Sequence, residues 1–214
     1  TTGPTREYLD PVRFISNESS GKQGYEVALA LNKLGVKTTL IAGPGKIYKS
    51  KDLVIKNVTT AKQMIEKVKK TLPVDIAVCA AAVSDFKPKK IYKNKIKKEQ
   101  QNLDTLNLEK NTDILSYLGK NNKLKPKLLV GFSAETENLI ENSTKKLNQK
   151  YCDMIIANEV SKKETGFNVN YNKISIIEKN GKIENVPKNT KSYIATKIAK
   201  KIINKLLIND KNTN

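Results

Sequence analysis

At 214 residues, with 38% apolar and 6% aromatic content, the chain is long enough for one substantial core, and no apolar run approaches the length that crosses a bilayer. The absence of histidine removes Ser-His-Asp and Cys-His nucleophilic machinery and every His-containing metal site. A formal net charge of +19 favours small anionic ligands, but the basic residues are spread along the chain without interleaved aromatics, so neither a nucleic-acid partner nor a membrane is expected.

The chain opens on a loop that holds its two arginines, Arg6 and Arg13, among glycines, small hydroxyls and Asn17. A guanidinium is a planar fork that grips carboxylate or phosphate bidentately, so this loop reads as an anion cradle. The apolar spacing of Val27, Ala28, Leu31 and Leu34 predicts a helix over Ser20 to Leu34, stopped by Gly35. Val36 to Ala42 and Leu53 to Val58 read as strands, Ala61 to Leu72 as a helix, and Ile76 to Ala82 as a continuous apolar strand of the kind buried in parallel sheets. Ser84 to Asn102 is basic and broken by Pro88, and is expected to be a mobile loop.

Further along, Leu106 to Leu108 reads as a short strand, Asp113 to Leu118 as a helix and Leu128 to Phe132 as a buried strand. Asn138 to Lys150 then reads as a helix and Met154 to Ala157 as a strand. Lys173 to Glu178 and Lys182 to Val186 flank Asn180-Gly181, which predicts a hairpin with a two-residue turn. Ser192 to Leu207 is a final amphipathic helix, and 208–214 reads as a frayed polar tail. Cys79 and Cys152 are expected to be buried, reduced thiols.

Together these elements predict a single α/β domain over 1–214: a Rossmann-like, doubly wound, mostly parallel sheet with an added β hairpin or dimerisation region. Ligands of such sheets bind outside the carboxyl ends of the strands. The first glycine turn would normally follow a strand, so the reading expects a longer chain with another domain upstream. With no signal peptide in the sequence, the expected compartment is the cytoplasm.

Two motifs are decoys. Tyr193 and Lys197 have dehydrogenase-like spacing but lie in the last helix without a G-x-G-x-x-G turn, and Gly21-Lys22 lacks both the upstream glycine and the hydroxyl of a phosphate-binding loop. Several other blocks share an order and spacing. They are Gly3-Pro4-Thr5-Arg6-Glu7, Asp10 to Asn17, Ser19-Ser20-Gly21-Lys22, Ala80 to Asp85, Lys95 to Lys98, Asn111 to Leu115, Gly131 to Thr136 and Ala157-Asn158-Glu159-Val160. In these blocks the chain resembles bacterial phosphopantothenoylcysteine synthetase, commonly the C-terminal half of a bifunctional coenzyme A biosynthesis protein.

The resemblance implies a CTP-dependent ligation of 4'-phosphopantothenate with cysteine through an acyl-cytidylate, with Mg²⁺ on the triphosphate. By position, Arg13 and Asn17 match residues that bind the phosphopantothenoyl part and the intermediate, and Lys95 matches a mobile-loop lysine that neutralises the reacting phosphate. Ala80, Ala81, Asp85, Asn111, Thr112, Asp113, Ile114, Phe132, Lys146 and Lys150 match nucleotide contacts, and Asp85 is also the candidate metal ligand. Thr112 stands where the family usually has proline, Ser133 where alanine is common and Glu159 where aspartate is common. The family also implies a homodimer and, where the halves are fused, an upstream decarboxylase. An ATP-using ligase of the same fold and a nucleotide- or nucleic-acid-binding module without turnover remain alternatives.

Overall fold

The computed structural model describes residues 1–45, 50–97, 105–160 and 169–211. The end of the basic segment, 98–102, and the last residues, 212–214, therefore lie outside the described residues.

The opening loop is a short antiparallel ribbon, β1 (Arg6–Tyr8) and β2 (Phe14–Ser16), with Glu7 opposite Ile15. α1 (Lys22–Lys33) follows Gly21, whose φ of 74° suits glycine, and it ends at Leu34 before Gly35 at φ 86°. β3 (Thr39–Ala42) and β4 (Val54–Asn57) pair in parallel. α2 (Ala61–Lys69) starts at a capping box, Thr60 accepting from Gln63 N and Gln63 reaching back to the Thr60 N–H. Buried Glu7 reinforces that start by accepting from Ala61 N at 2.9 Å.

β5 (Ile76–Cys79) precedes the segment read as a mobile loop. Its first part is ordered: β6 (Phe86–Pro88) pairs antiparallel with β7 (Leu108–Lys110). Pro88 is tolerated because it sits at the end of a two-stranded ribbon, where its missing donor costs no ladder bond inside a sheet. Next come α3 (Ile114–Lys120), β8 (Leu128–Glu135), α4 (Leu139–Gln149) and β9 (Met154–Glu159). β10 (Tyr171–Glu178), β11 (Ile183–Thr190) and α5 (Lys191–Lys211) complete the described chain.

The central sheet has the order β11-β10-β9-β8-β5, with β5, β8 and β9 parallel and the β10–β11 hairpin antiparallel at one edge. Single parallel bridges from Thr2 to Ala42 and from Pro4 to Ala82 seat the first residues between β3 and β5. The hairpin turn has three residues rather than two. Glu178 N bonds Lys182 O, Gly181 N bonds Glu178 O, and Gly181 takes φ 84°, a turn that preserves the strand twist by spending one left-handed residue.

Alternation along β8 divides two cores. Leu128 and Val130 face α1 and α5, meeting Val27, Leu31, Ile194 and Ile198, whereas Leu129 faces α2, α3 and α4, meeting Met64, Leu118 and Leu147. All ten of these side chains are at most 5% exposed, and burying each contributes roughly 1.5–3 kcal/mol against the entropy of ordering. Helices on both faces make the sheet doubly wound, and Gly131 belongs to the close-packed face because a Cβ there would stand 2.6 Å from Leu115 Cδ2. Among the described residues no helix is long and apolar enough to cross a membrane.

Candidate active site

The carboxyl ends of the strands converge on the first residues of the chain. Gly3 at φ 78° lies against Gly43 and Gly21, and a Cβ added to Gly43 would fall 1.9 Å from Pro4 O. This backbone-to-backbone packing leaves the β5 end with no free amides at Ala80 and Ala81. Ala80 N donates to Thr1 O at 3.2 Å and Ala81 N to Thr1 Oγ1 at 3.3 Å. Both alanines sit at the crevice, but their donors hold the first strand slot in place.

Asn17 reaches the same strand end from the far side of the ribbon. Its amide donates to Ala82 O at 3.1 Å and Val83 O at 3.3 Å, which leaves its carbonyl oxygen and exposed position available to a ligand. Ser84 is held by Thr5, and Ser84 O in turn accepts from Asn111 Nδ2 at 2.9 Å. Asn111 N also bonds Asp85 O at 2.8 Å, so Asn17, Asp85 and Asn111 border one stretch of backbone. The Asp85 residue is exposed, and no cluster of three or more acidic or thiol ligands exists among the described residues. One open carboxylate fits a divalent ion that takes its other oxygens from phosphates and water, not an all-protein cage.

The α3 start contributes the next group. Asp113 caps α3 by accepting from Ser116 N at 2.7 Å, while its other oxygen pairs with Lys150 Nζ at 2.8 Å. Burial alone would raise the Asp113 pKa, but the Lys150 hydrogen bond and charge, the Ser116 N–H and the Lys146 charge together lower it below the ordinary value. Thr112 is exposed and Ile114 buried in the core, so the turn keeps its geometry without proline. Phe132 departs from this group. Its side chain packs on the α1 and α5 core, whereas Asp113, Lys146 and Lys150 lie toward α3 and α4.

The two arginines do different work. Arg6 stacks on Phe14, 4.6 Å from the ring centroid. Arg13 is turned by Asp10: the carboxylate accepts from Val12 N, Arg13 N and Ile96 N and lies 3.3 Å from Arg13 Nη1, while Arg13 Nη2 donates to Ile96 O. Burial opposes ionisation of Asp10, yet these donors and the guanidinium hold its pKa below the ordinary value. Asp10 was not among the expected site residues. Its signal was an acid followed by proline, an Asx-type turn former.

Through Asp10, Arg13 is fixed beside the segment that carries Lys95, which is exposed next to buried Ile96. Tyr92 N bonding Leu9 O ties the same run down a second time. Cys79 and Cys152 are free thiols, pushed by burial up to about 11 and about 12, and therefore inert as nucleophiles near neutral pH. A cavity of about 730 Å³, whose lining includes Thr39, Leu72, Ile76 and Leu206, runs along β3 and β5 and reaches Thr1, the residue that holds Ala80 and Ala81.

A doubly wound sheet with the Asn17 and Asn111 amides and the open Asp85 carboxylate beyond its strand ends defines an α/β protein with a polar crevice where such sheets take ligands. The chain belongs to the family described as DNA/pantothenate metabolism flavoprotein C-terminal domain, which matches residues 1–206. It is 39% identical over 204 residues to the coenzyme A biosynthesis bifunctional protein CoaBC of Bacillus subtilis, covering 94% of this chain and 50% of that protein. A crystal structure of the C-terminal domain of a CoaBC protein superposes with a TM-score of 0.77 at 34% identity, over 94% of this chain and 90% of that one. A Cab2 mutant bound to phosphopantothenate-cysteine shares the fold, with a TM-score of 0.79 at 19% identity over 99% of this chain and 86% of that one. The chain thus spans about half the length of the curated relatives it matches.

Proposed function

We propose that this chain ligates 4'-phosphopantothenate to L-cysteine at the expense of CTP, releasing pyrophosphate and CMP. The observation that carries the reading is the joining of Arg13 and the Lys95 segment through Asp10, beside the Asn17 and Asn111 amides, in a chain of this family. The fold neighbour that holds phosphopantothenate-cysteine is in keeping with it.

In this reading a phosphopantothenate carboxylate oxygen attacks the α-phosphorus of CTP and pyrophosphate leaves; the cysteine amine then attacks the acyl carbon, CMP leaves and the amine loses a proton. Neither step needs a protein nucleophile, which suits a chain without histidine. Arg13 offers its remaining guanidinium donors to the substrate, Asn17 orients the acyl-cytidylate, and Lys95 offsets charge on the reacting phosphate. Lys146, Lys150 and the α3 turn receive the nucleotide, and Phe132 contributes through backbone rather than ring contact. Mg²⁺, held by Asp85 and the triphosphate, would supply charge neutralisation there.

We further place a homodimer contact on the two ribbons. Val12, Phe14, Phe86, Ile91 and Leu108 are 40–66% exposed and lie on β1–β2, β6–β7 and the turns beside them. Apolar side chains clustered on adjoining two-stranded ribbons match a second copy better than solvent.

Incubation with phosphopantothenate, cysteine, Mg²⁺ and each nucleotide tests the reaction. Pyrophosphate release with CTP and much less with ATP is expected; equal rates would overturn the nucleotide choice, and no release would leave a binding module.

A further inference from the structure

The sheet is interrupted between β3 and β5. β5 is an edge of the five-stranded sheet and β3–β4 stands apart as a separate pair, yet the opening residues bridge the two. Thr1 N donates to Val78 O at 2.7 Å and Ala80 N to Thr1 O at 3.2 Å, which sets Thr1 opposite Cys79. Thr2 N donates to Ile41 O and Gly43 N to Thr2 O, both at 2.9 Å, which sets Thr2 opposite Ala42. Bonds that alternate between two neighbours in this way belong to a strand in the interior of a parallel sheet. Toward the amino ends of β3 and β5 that interior strand is missing among the described residues.

By the same alternation, Thr39 O and Ile41 N of β3 face Ile76 O and Val78 N of β5 across the gap. Backbone groups this deep in a fold are almost always paired. The gap is the cavity of about 730 Å³, and apolar side chains cover it from both sides of the sheet. Val27 and Leu31 of α1 and Leu206 of α5 lie on one side, Val68 of α2 and Leu118 of α3 on the other. β5 shows the consequence: its four apolar residues are all only half-buried, whereas Leu128 to Gly131 of the adjoining β8 are buried.

We propose that the gap between β3 and β5 is the seat of one further parallel strand, formed by an apolar segment that joins Thr1 from its amino side. Register, reach and direction select this occupant. The residue next to Thr1 falls opposite Leu40 and the one before it opposite Ala77, so a continuous chain meets all four open backbone groups. About four residues at roughly 3.3 Å each span the distance from Thr1 to the starts of β3 and β5. A strand parallel to both must leave the gap at Thr1, where a separate peptide or a second copy would have to end. Cover on both faces calls for a near-continuous run of Val, Ile and Leu rather than an alternating one. The matching family is a C-terminal domain and this chain covers 50% of the Bacillus relative, so in such proteins further chain precedes this region. The added strand would end at the residue whose carbonyl and hydroxyl oxygens hold Ala80 N and Ala81 N, and so would steady the crevice.

The test compares the chain as it stands with two extended forms, one carrying the six residues that precede Thr1 in the source protein and one carrying six Gly and Ser residues. With the natural segment, amide exchange at Ile41 and Val78 is expected to slow at least about 100-fold and the melting temperature to rise by about 10 °C. The Gly and Ser extension should do neither. If the unextended chain fails to fold, folding restored by the natural segment and not by Gly and Ser sustains the strand equally. Neither readout involves the ligation, so failure here and failure of the reaction are separate results. A source protein whose preceding residues are charged or rich in Gly and Pro, or whose mature chain begins at Thr1, would overturn the proposal. So would a rise in melting temperature that leaves the Ile41 and Val78 amides exchanging as before. An unextended chain that protects those two amides only as it dimerises would assign the gap to a second copy and overturn the occupant.

Discussion

Asp10 Oδ2 accepts a hydrogen bond from Ile96 N at 3.1 Å, so one buried carboxylate ties the first ribbon of the chain to the segment that carries Lys95. Replacing it by alanine strands three backbone donors and frees the Arg13 guanidinium. Asp10→Ala is therefore expected to lower pyrophosphate release about 10- to 100-fold, because misplacement of order 1 Å carries penalties of that size. Asp10→Asn keeps one acceptor and should recover part of the rate. Steady-state kinetics of the two variants, with circular dichroism to confirm folding, measures the difference.

Asn17→Asp removes both donors to Ala82 O and Val83 O and sets a negative charge beside those carbonyls. The variant is expected to release pyrophosphate while the acyl-cytidylate accumulates, seen as an intermediate by mass spectrometry of quenched reactions. Loss of CTP binding altogether would instead assign Asn17 to structure.

The Asp113–Lys150 pair separates capping from charge. Asp113→Ala loses an N-cap worth about 1 kcal/mol, whereas Asp113→Asn preserves the cap and removes only the ion pair. Because the pair is partly open to solvent, its own share of stability is small. Denaturant midpoints should fall for Asp113→Ala and change little for Asp113→Asn, while nucleotide binding changes in both.

Acid stability follows from four carboxylates whose pKa values are lowered in the fold: Asp10, Asp113, Glu141 and Glu178. Burial opposes each charge, but N–H donors or lysines outweigh it. A carboxylate that ionises more readily folded than unfolded adds stability above its unfolded pKa and loses it as pH falls through the folded value. Stability is therefore expected to be level from neutrality to about pH 5 and to drop steeply below about pH 4, with a smaller drop in Glu178→Gln. Thermal melts across that range check both the direction and the window.

Apolar exposure on the ribbons makes a further expectation. Phe86→Glu combined with Ile91→Lys should shift the chain from dimer to monomer in sedimentation velocity without lowering its melting temperature. A parent chain that sediments as a monomer at micromolar concentration would remove the assigned dimer contact.

Much of the fold was legible because it rests on local rules. Apolar spacing at Val27, Leu31, Ile194 and Ile198 marked helices, and the continuous run at Ile76 to Cys79 marked a strand covered on both faces. β1, β2 and β6 were missed because two-stranded ribbons of three residues are stabilised by distant partners, such as Thr5 O with Ser16 Oγ, and not by their own periodicity.

By itself the sequence determined the doubly wound class, the exclusion of histidine chemistry and which residue types stood ready to meet an anion. It could not divide labour among like side chains, since charge and propensity are properties of one residue while pairing is a property of two distant ones. Tertiary structure alone turned Arg6 onto Phe14 and Arg13 onto Asp10, and placed Phe132 away from Lys146. Those outcomes depend on which face of the sheet each strand end presents, and that is fixed only when the two cores close around it.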